Sequence, residues 1–119
     1  MTKAKEVTKE AILALRNRPP QRAVEVPELG TLHVRGLSSA EYGAYQDQIT
    51  VGRGQSRRVK LEHSRALLMV AGVITGDGKQ MFSRADVARL NDLPASVTER
   101  VASAVLELSG VLEPEQEEI

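Results

Sequence analysis

Eight consecutive residues, Leu67-Leu68-Met69-Val70-Ala71-Gly72-Val73-Ile74, carry no polar side chain. A helix that is apolar on every side has no face to give to water, so it has to be surrounded by the rest of its own protein. The run is far shorter than the roughly 20 apolar residues that a bilayer-spanning helix needs. It is therefore expected to be the central element of a small core, as the second half of a helix from about Ser56 to Ile74. The first half of that helix, with Arg57, Arg58, Lys60 and Glu62, is polar.

The remaining segments have to build the surroundings, and 119 residues is enough for one domain. Val7, Ala11, Ile12 and Leu15 line one side of a short amphipathic helix. Pro19-Pro20 stops it, because proline has no amide to donate and pushes the preceding residue into extended backbone. From Arg22 to Arg35 the apolar period becomes two. Val24, Val26, Leu32 and Val34 would share the buried face of a β-hairpin whose loop, Pro27-Glu28-Leu29-Gly30, carries turn residues. Such a hairpin is marginal alone and needs helices or another chain against it.

Ser38-Ser39-Ala40-Glu41 has the spacing of a capping box and opens a helix through Tyr42, Tyr45 and Ile49, which ends at the glycines of Gly52-Arg53-Gly54. Asp77-Gly78 marks a tight turn after the apolar run. Ser83 and Asp86 cap a short helix through Val87 and Leu90, which Asn91-Asp92-Leu93-Pro94 breaks. Val97, Val101, Ala104, Val105 and Leu108 form one stripe of a last helix, with Ser96 and Glu99 as a possible capping pair and Gly110 as its stop. The expected architecture is α+β, mainly α. It comprises a small helical domain of about four to five helices over residues 1–112, with one β-hairpin at about 22–35. Residues 113–119 are expected to be an acidic disordered tail.

Composition narrows the function. Tyr42, Tyr45 and Phe82 are the aromatic residues, so the core is thin and a partner or further copies would add to its stability. Sixteen basic and sixteen acidic residues cancel, which gives no field to attract nucleic acid or an anionic membrane. Cysteine is absent, which excludes disulfides and thiolate chemistry and fits a reducing cytoplasm. Residues Met1 to Glu10 contain no apolar run that would make a signal peptide.

No catalytic constellation is legible. His33 and His63 stand outside any motif and read as structural or exposed. Asp77-Gly78 lacks the alternating oxygen ligands of a calcium loop, and Gly52-Arg53-Gly54 lacks the strand and the lysine of a phosphate loop. The cluster Arg53, Arg57, Arg58, Lys60 and Arg65 could face a nucleic acid, yet it equally reads as a solvated, solubilising surface. These observations point away from an enzyme, a metal site or a cofactor and towards a protein-binding function.

In order, the segments Leu15-Arg16-Asn17, Val24-Glu25-Val26-Pro27-Glu28-Leu29-Gly30, and Leu32-His33-Val34-Arg35-Gly36-Leu37-Ser38-Ser39-Ala40-Glu41 form a pattern. The apolar helix Leu67 to Ile74, the turn Asp77-Gly78-Lys79, then Met81-Phe82-Ser83 and Glu107-Leu108-Ser109-Gly110 continue it. This order resembles the tail assembly chaperones of long-tailed bacteriophages from about Ala11 to Glu113. The hairpin loop, with only Leu29-Gly30, departs from relatives that carry an aromatic and a second glycine there.

The resemblance implies a non-structural protein that binds the tape measure protein in the cytoplasm of the infected bacterium. It would keep that long helical chain soluble, help tail tube protein assemble around it, and be absent from the finished virion. In many such phages a ribosomal frameshift makes a longer form, and this chain would match the shorter one. Copies are expected to associate along the client as a homo-oligomer. Tyr42, Tyr45, Met81 and Phe82 are candidate contact residues, because rings and thioethers give area with little polar cost, although all four also fit a core role. For self-association, Arg57 and Arg58 of one copy could meet Glu115, Glu117 and Glu118 of another. The rivals are a nucleic-acid-binding regulator that uses the basic cluster, and a head-to-tail connector that would remain in the virion.

Overall fold

The computed structural model describes residues 6–17, 19–52 and 54–111. Among them the chain runs α1 (Lys9–Ala14), β1 (Gln21–Val26), β2 (Gly30–Arg35), α2 (Ser39–Ile49), β3 (Thr50–Val51), β4 (Arg58–Val59), α3 (Ser64–Gly72), β5 (Val73–Ile74), α4 (Val87–Asn91) and α5 (Ala95–Leu108). One 3-10 turn continues α1 over Leu15–Asn17, and others precede β4 and α4. The α+β, mainly helical reading holds, with the antiparallel hairpin β1–β2 where the period-two pattern put it. Arg53 and residues 112–119, the acidic tail among them, lie outside the described residues.

The hairpin register pairs Val24 with Leu32 and Val26 with Gly30. That leaves Pro27–Leu29 as the loop, closed by the Leu29 amide donating to the Val26 carbonyl at 3.0 Å. Its left-handed position falls on Glu28, at φ +71°, where a side chain is costlier than hydrogen. Val24, Val26 and Val34 are buried and Leu32 is half-buried, so the alternation does point one face inward.

The segment from Ser56 to Ile74 departs from the expected single helix at both ends. Its polar start is a second antiparallel hairpin, β3–β4, in which Thr50 pairs with Val59 and Val51 with Arg58. Its apolar end leaves the helix at Gly72. Val73 and Ile74 then add a third strand to the sheet, opposite Val34 and His33, in the order β1-β2-β5. Two β-branched residues at the end of an apolar run favour this outcome, since they lose side-chain freedom in a helix and fit a pleated surface. The Thr75–Lys79 turn folds the chain back beside β5, with Gly78 at φ +85°.

The central position assigned to the apolar run is correct. Leu68, Met69 and Val73 are sealed from solvent together with Val34, Val101 and Val105. α3 and α5 lie side by side in the same direction, as Arg65 reaches Glu99 at 3.1 Å and Gly72 backs onto Val105. The sheet packs against α5, which also holds the outer strand through Arg22–Glu107 at 2.7 Å and Arg100 Nη1 donating to the Glu25 carbonyl at 3.1 Å. The end of α5 passes so close to β2 that a methyl on Gly36 would stand 2.7 Å from the Leu108 carbonyl oxygen.

Helix ends follow the residues that cap them. Ser38 and Glu41 make the expected box: the Ser38 hydroxyl accepts from the Glu41 amide at 3.1 Å, and Glu41 accepts from the Ser38 amide at 2.9 Å. Ser83 and Asp86 make a second. Ser96 and Glu99 do not cap α5. The helix starts at Ala95, behind Pro94, two residues before a Ser96 cap would start it, and Glu99 is turned to Arg65. At the other end of α5, Gly110 takes φ +72°, its amide bonds the Glu107 carbonyl and the Val111 amide bonds Leu106, which is a Schellman closure.

Candidate protein-binding surface

Thr8 caps α1 by accepting from the Ala11 amide at 3.1 Å, and no residue of this helix is buried. Val7, Ile12, Leu13 and Leu15 are 67%, 53%, 55% and 60% exposed. Four large apolar side chains in nine residues of chain, all more than half in water, are unlike the scattered exposed hydrophobics of an ordinary surface. Pro19-Pro20 separates this helix from the sheet, and an open groove of about 630 Å³ lies at the junction. Leu15, Pro19, Pro20, Leu37 and Ile74 give the groove its apolar lining, and Arg35 and Glu41 its polar rim.

That rim is fixed. Arg35 grips Glu41 through two parallel bonds of 2.8 and 2.6 Å, and its Nη1 also donates to the Gly36 carbonyl at 3.1 Å. The guanidinium hydrogen bond, aided by the Ser38 amide and opposed by partial burial, pulls the Glu41 carboxyl down to about 2. The same contact raises the Arg35 pKa. One pair thus joins the cap of α2 to the end of β2.

A second projecting element is the β3–β4 arm. Val51, Val59 and Leu61 are 36%, 59% and 51% exposed along it, and Arg57, Arg58 and Lys60 are exposed beside them. Arg57 and Arg58 have no acidic partner among the described residues, whereas Lys60 lies 3.9 Å from Glu62.

The four candidate contact residues do not gather into one exposed patch. Tyr45 is buried in the core, and Tyr42 and Phe82 are half-buried against it, with the two tyrosine rings 5.9 Å apart. Met81 is the exposed member, at 41%. Of the self-association candidates, Arg57 and Arg58 stand on the arm, while Glu115, Glu117 and Glu118 are outside the described residues. The unburied apolar stripe of α1 carries more exposed area than any of these. Its spacing was readable, but nothing in a periodic pattern says whether a face is covered.

His63 sits at the start of α3, where its Nδ1 meets the Asn91 amide nitrogen at 2.5 Å, and His33 faces outward from β2. Among the described residues no group of three or more His, Asp or Glu side chains is placed to hold a metal ion, and no helix is long and apolar enough to cross a membrane.

Comparison with solved structures decides what the fold resembles. The chain is similar to the tail assembly chaperone of bacteriophage HK97, with a TM-score of 0.58 and 18% identity over 82% of this chain and 96% of that one. At that identity the likeness is one of fold. This chain has the fold of a phage tail assembly chaperone. No family model matches the sequence, and no curated protein matches it.

Proposed function

We propose that the chain is a tail assembly chaperone of a long-tailed bacteriophage. In this reading it binds the tape measure protein in the cytoplasm of the infected bacterium, keeps that chain soluble, promotes assembly of tail tube protein around it, and is absent from the mature virion. The observation that carries the reading is the fold held in common with the HK97 chaperone over nearly all of that protein.

The surface supports it on physical grounds. A long helical client exposes apolar stripes that aggregate, and they can be covered reversibly by a helix presenting its own apolar side. Val7, Ile12 and Leu15 offer such a side, next to a groove whose walls are Leu37 and Ile74. Reversible covering asks for small contact areas repeated along the client, so many copies act on one tape measure chain.

Co-expression with the long helical protein encoded beside it tests the proposal. The client is expected in the soluble fraction and to co-purify with this chain. A client that stays insoluble and fails to co-purify overturns it, as does finding this chain in purified virions, which would make it a connector.

A further inference from the structure

Where the β3–β4 arm joins the body, residues of α2, α3 and α4 meet around a cleft of about 260 Å³. Ile49 at the end of α2, Leu67 of α3 and Val87 of α4 give it an apolar floor, the first buried and the other two half-buried. Two cations stand at the same cleft, Lys60 and Arg84, together with the Gln48 amide and the His63 ring, and none of the lining residues is acidic. Each of these is positioned by its own backbone or partner. The Lys60 amide donates to the Ile49 carbonyl at 2.5 Å, which pins the exit of the arm to the end of α2. Arg84 stands in the turn that the Ser83–Asp86 capping box closes, and Asn91 of α4 meets the His63 ring at 2.5 Å.

The two cations are poorly neutralised. Arg84 has no acidic partner among the described residues, and Asp86, two positions along the chain, is bonded to Arg89 instead. Lys60 has Glu62 at 3.9 Å, but Glu62 lines the neighbouring depression with Asn91 and Leu93 and not this cleft. Sixteen bases and sixteen acids cancel over the whole chain, so this local excess of positive charge is hidden in the total.

We infer that the cleft docks an apolar side chain of a client polypeptide that carries a carboxylate beside it, with the apolar group on Ile49, Leu67 and Val87 and the carboxylate at Lys60 and Arg84. Size selects the kind of ligand. At about 260 Å³ the cleft is smaller than the pockets of roughly 300–1,000 Å³ that enclose free small molecules, and it suits one side chain reaching in from a partner chain. Charge selects what stands next to that side chain, since a carboxylate accepts charge-assisted hydrogen bonds from a lysine and an arginine. Neither half suffices alone: the floor is small, and an exposed ion pair contributes little by itself. The proposal rests on the chaperone reading for its polypeptide client and gives that client a second point of contact, because the cleft shares no lining residue with the groove beside α1.

Titration of the isotope-labelled full chain with the peptide acetyl-Ala-Glu-Leu-Glu-Ala-amide, followed by amide NMR shifts, tests it. The signals of Lys60, Leu67, Arg84 and Val87 are expected to move together and to saturate. Replacing both peptide glutamates with glutamine, or the leucine with alanine, should each weaken binding by about fivefold or more. Raising the salt from about 50 to about 500 mM should weaken the glutamate peptide by a similar factor and leave the glutamine peptide unchanged. Lys60→Gln with Arg84→Gln should abolish the preference for glutamate over glutamine without disturbing signals elsewhere, since both side chains are exposed. The proposal is overturned if the peptide moves no signal at millimolar concentration, if the shifts gather on α1 in place of the cleft, or if the glutamine peptide binds equally well. Hexanoate binding as tightly as the peptide would make the cleft a small-molecule site, and a short DNA duplex moving the same signals in place of the peptide would make it a nucleic-acid contact; either overturns it too. Failure of the peptide while tape measure protein still co-purifies counts against the cleft alone, whereas peptide binding with a client that stays insoluble counts against the tape measure reading alone.

Discussion

Gly72 and Val105 touch so closely that a β-carbon on Gly72 would lie 2.5 Å from Val105 Cγ2 and 2.8 Å from Cγ1. Two effects of Gly72→Ala oppose each other. Alanine gains about 1 kcal/mol of helix propensity over glycine, while forcing a methyl into this contact costs roughly 1–3 kcal/mol. Val105 is fully buried and β-branched, with one strongly preferred rotamer in a helix, so it cannot swing away and the clash wins. Gly72→Ala is expected to destabilise the protein by up to about 2 kcal/mol in urea denaturation. Val105→Ala alone should cost roughly 2–3 kcal/mol through lost burial and a cavity. The pair Gly72→Ala/Val105→Ala should cost less than the sum, because the new methyl enters the space vacated, and strict additivity would contradict the packing described.

The Arg35–Glu41 pair sets an acid limit. Its folded-state carboxyl pKa is about 2 against an ordinary 4.5, so the stability it contributes is fully present above about pH 4.5 and is lost as the pH falls towards 2. Glu41 keeps 38% of its side chain in solvent, which holds the contribution to about 1 kcal/mol after screening. Glu41→Gln keeps a group able to complete the capping box but removes the charge. The stability difference between wild type and Glu41→Gln should be constant at neutral pH and shrink between pH 4.5 and 2. A difference that grows with acid would show the pair to be wrongly assigned.

The parts of the fold visible in the sequence are those where one residue type permits one geometry. Val24, Val26 and Val34 alternate as a half-buried hairpin must, Ser38 and Glu41 stand three apart as a capping box must, and Gly110 follows the last apolar residue of its helix. Periodicity cannot separate a short buried strand from a buried helical turn, so Val73 and Ile74 read as helix until Val34 and His33 are seen opposite them. Thr50, Val51 and Val59, β-branched residues flanking the glycines, carried a signal for the second hairpin that the charges of Arg57, Arg58 and Lys60 obscured. For the binding surface, rings at helical spacing could be core or contact, and the burial of Tyr45 against the exposure of α1 is a difference that residue type alone does not carry.

Gly110 provides a control that touches no surface element. Its φ of +72° closes α5, and an L-residue there costs about 1–2 kcal/mol. Gly110→Ala is expected to lower stability by about that amount in chemical denaturation, whereas Gly110→Asn should recover part of it, because asparagine tolerates the left-handed region. Equal losses for the two would mean that the strain lies elsewhere.

The α1 stripe separates stability from function most sharply. Ile12 and Leu15 are 53% and 60% exposed, and α1 has no buried residue, so replacing both with serine removes little area that folding conceals. Ile12→Ser/Leu15→Ser should change unfolding free energy by no more than about 1 kcal/mol. If the stripe covers a client, the same change removes its contact surface, and co-expressed tape measure protein should move to the insoluble fraction while the variant itself remains folded and abundant. A marked loss of the variant's own stability would instead mean that α1 folds onto its own body. Unchanged client solubility would move the client contact away from α1, leaving Met81 as the exposed member of the four original candidates.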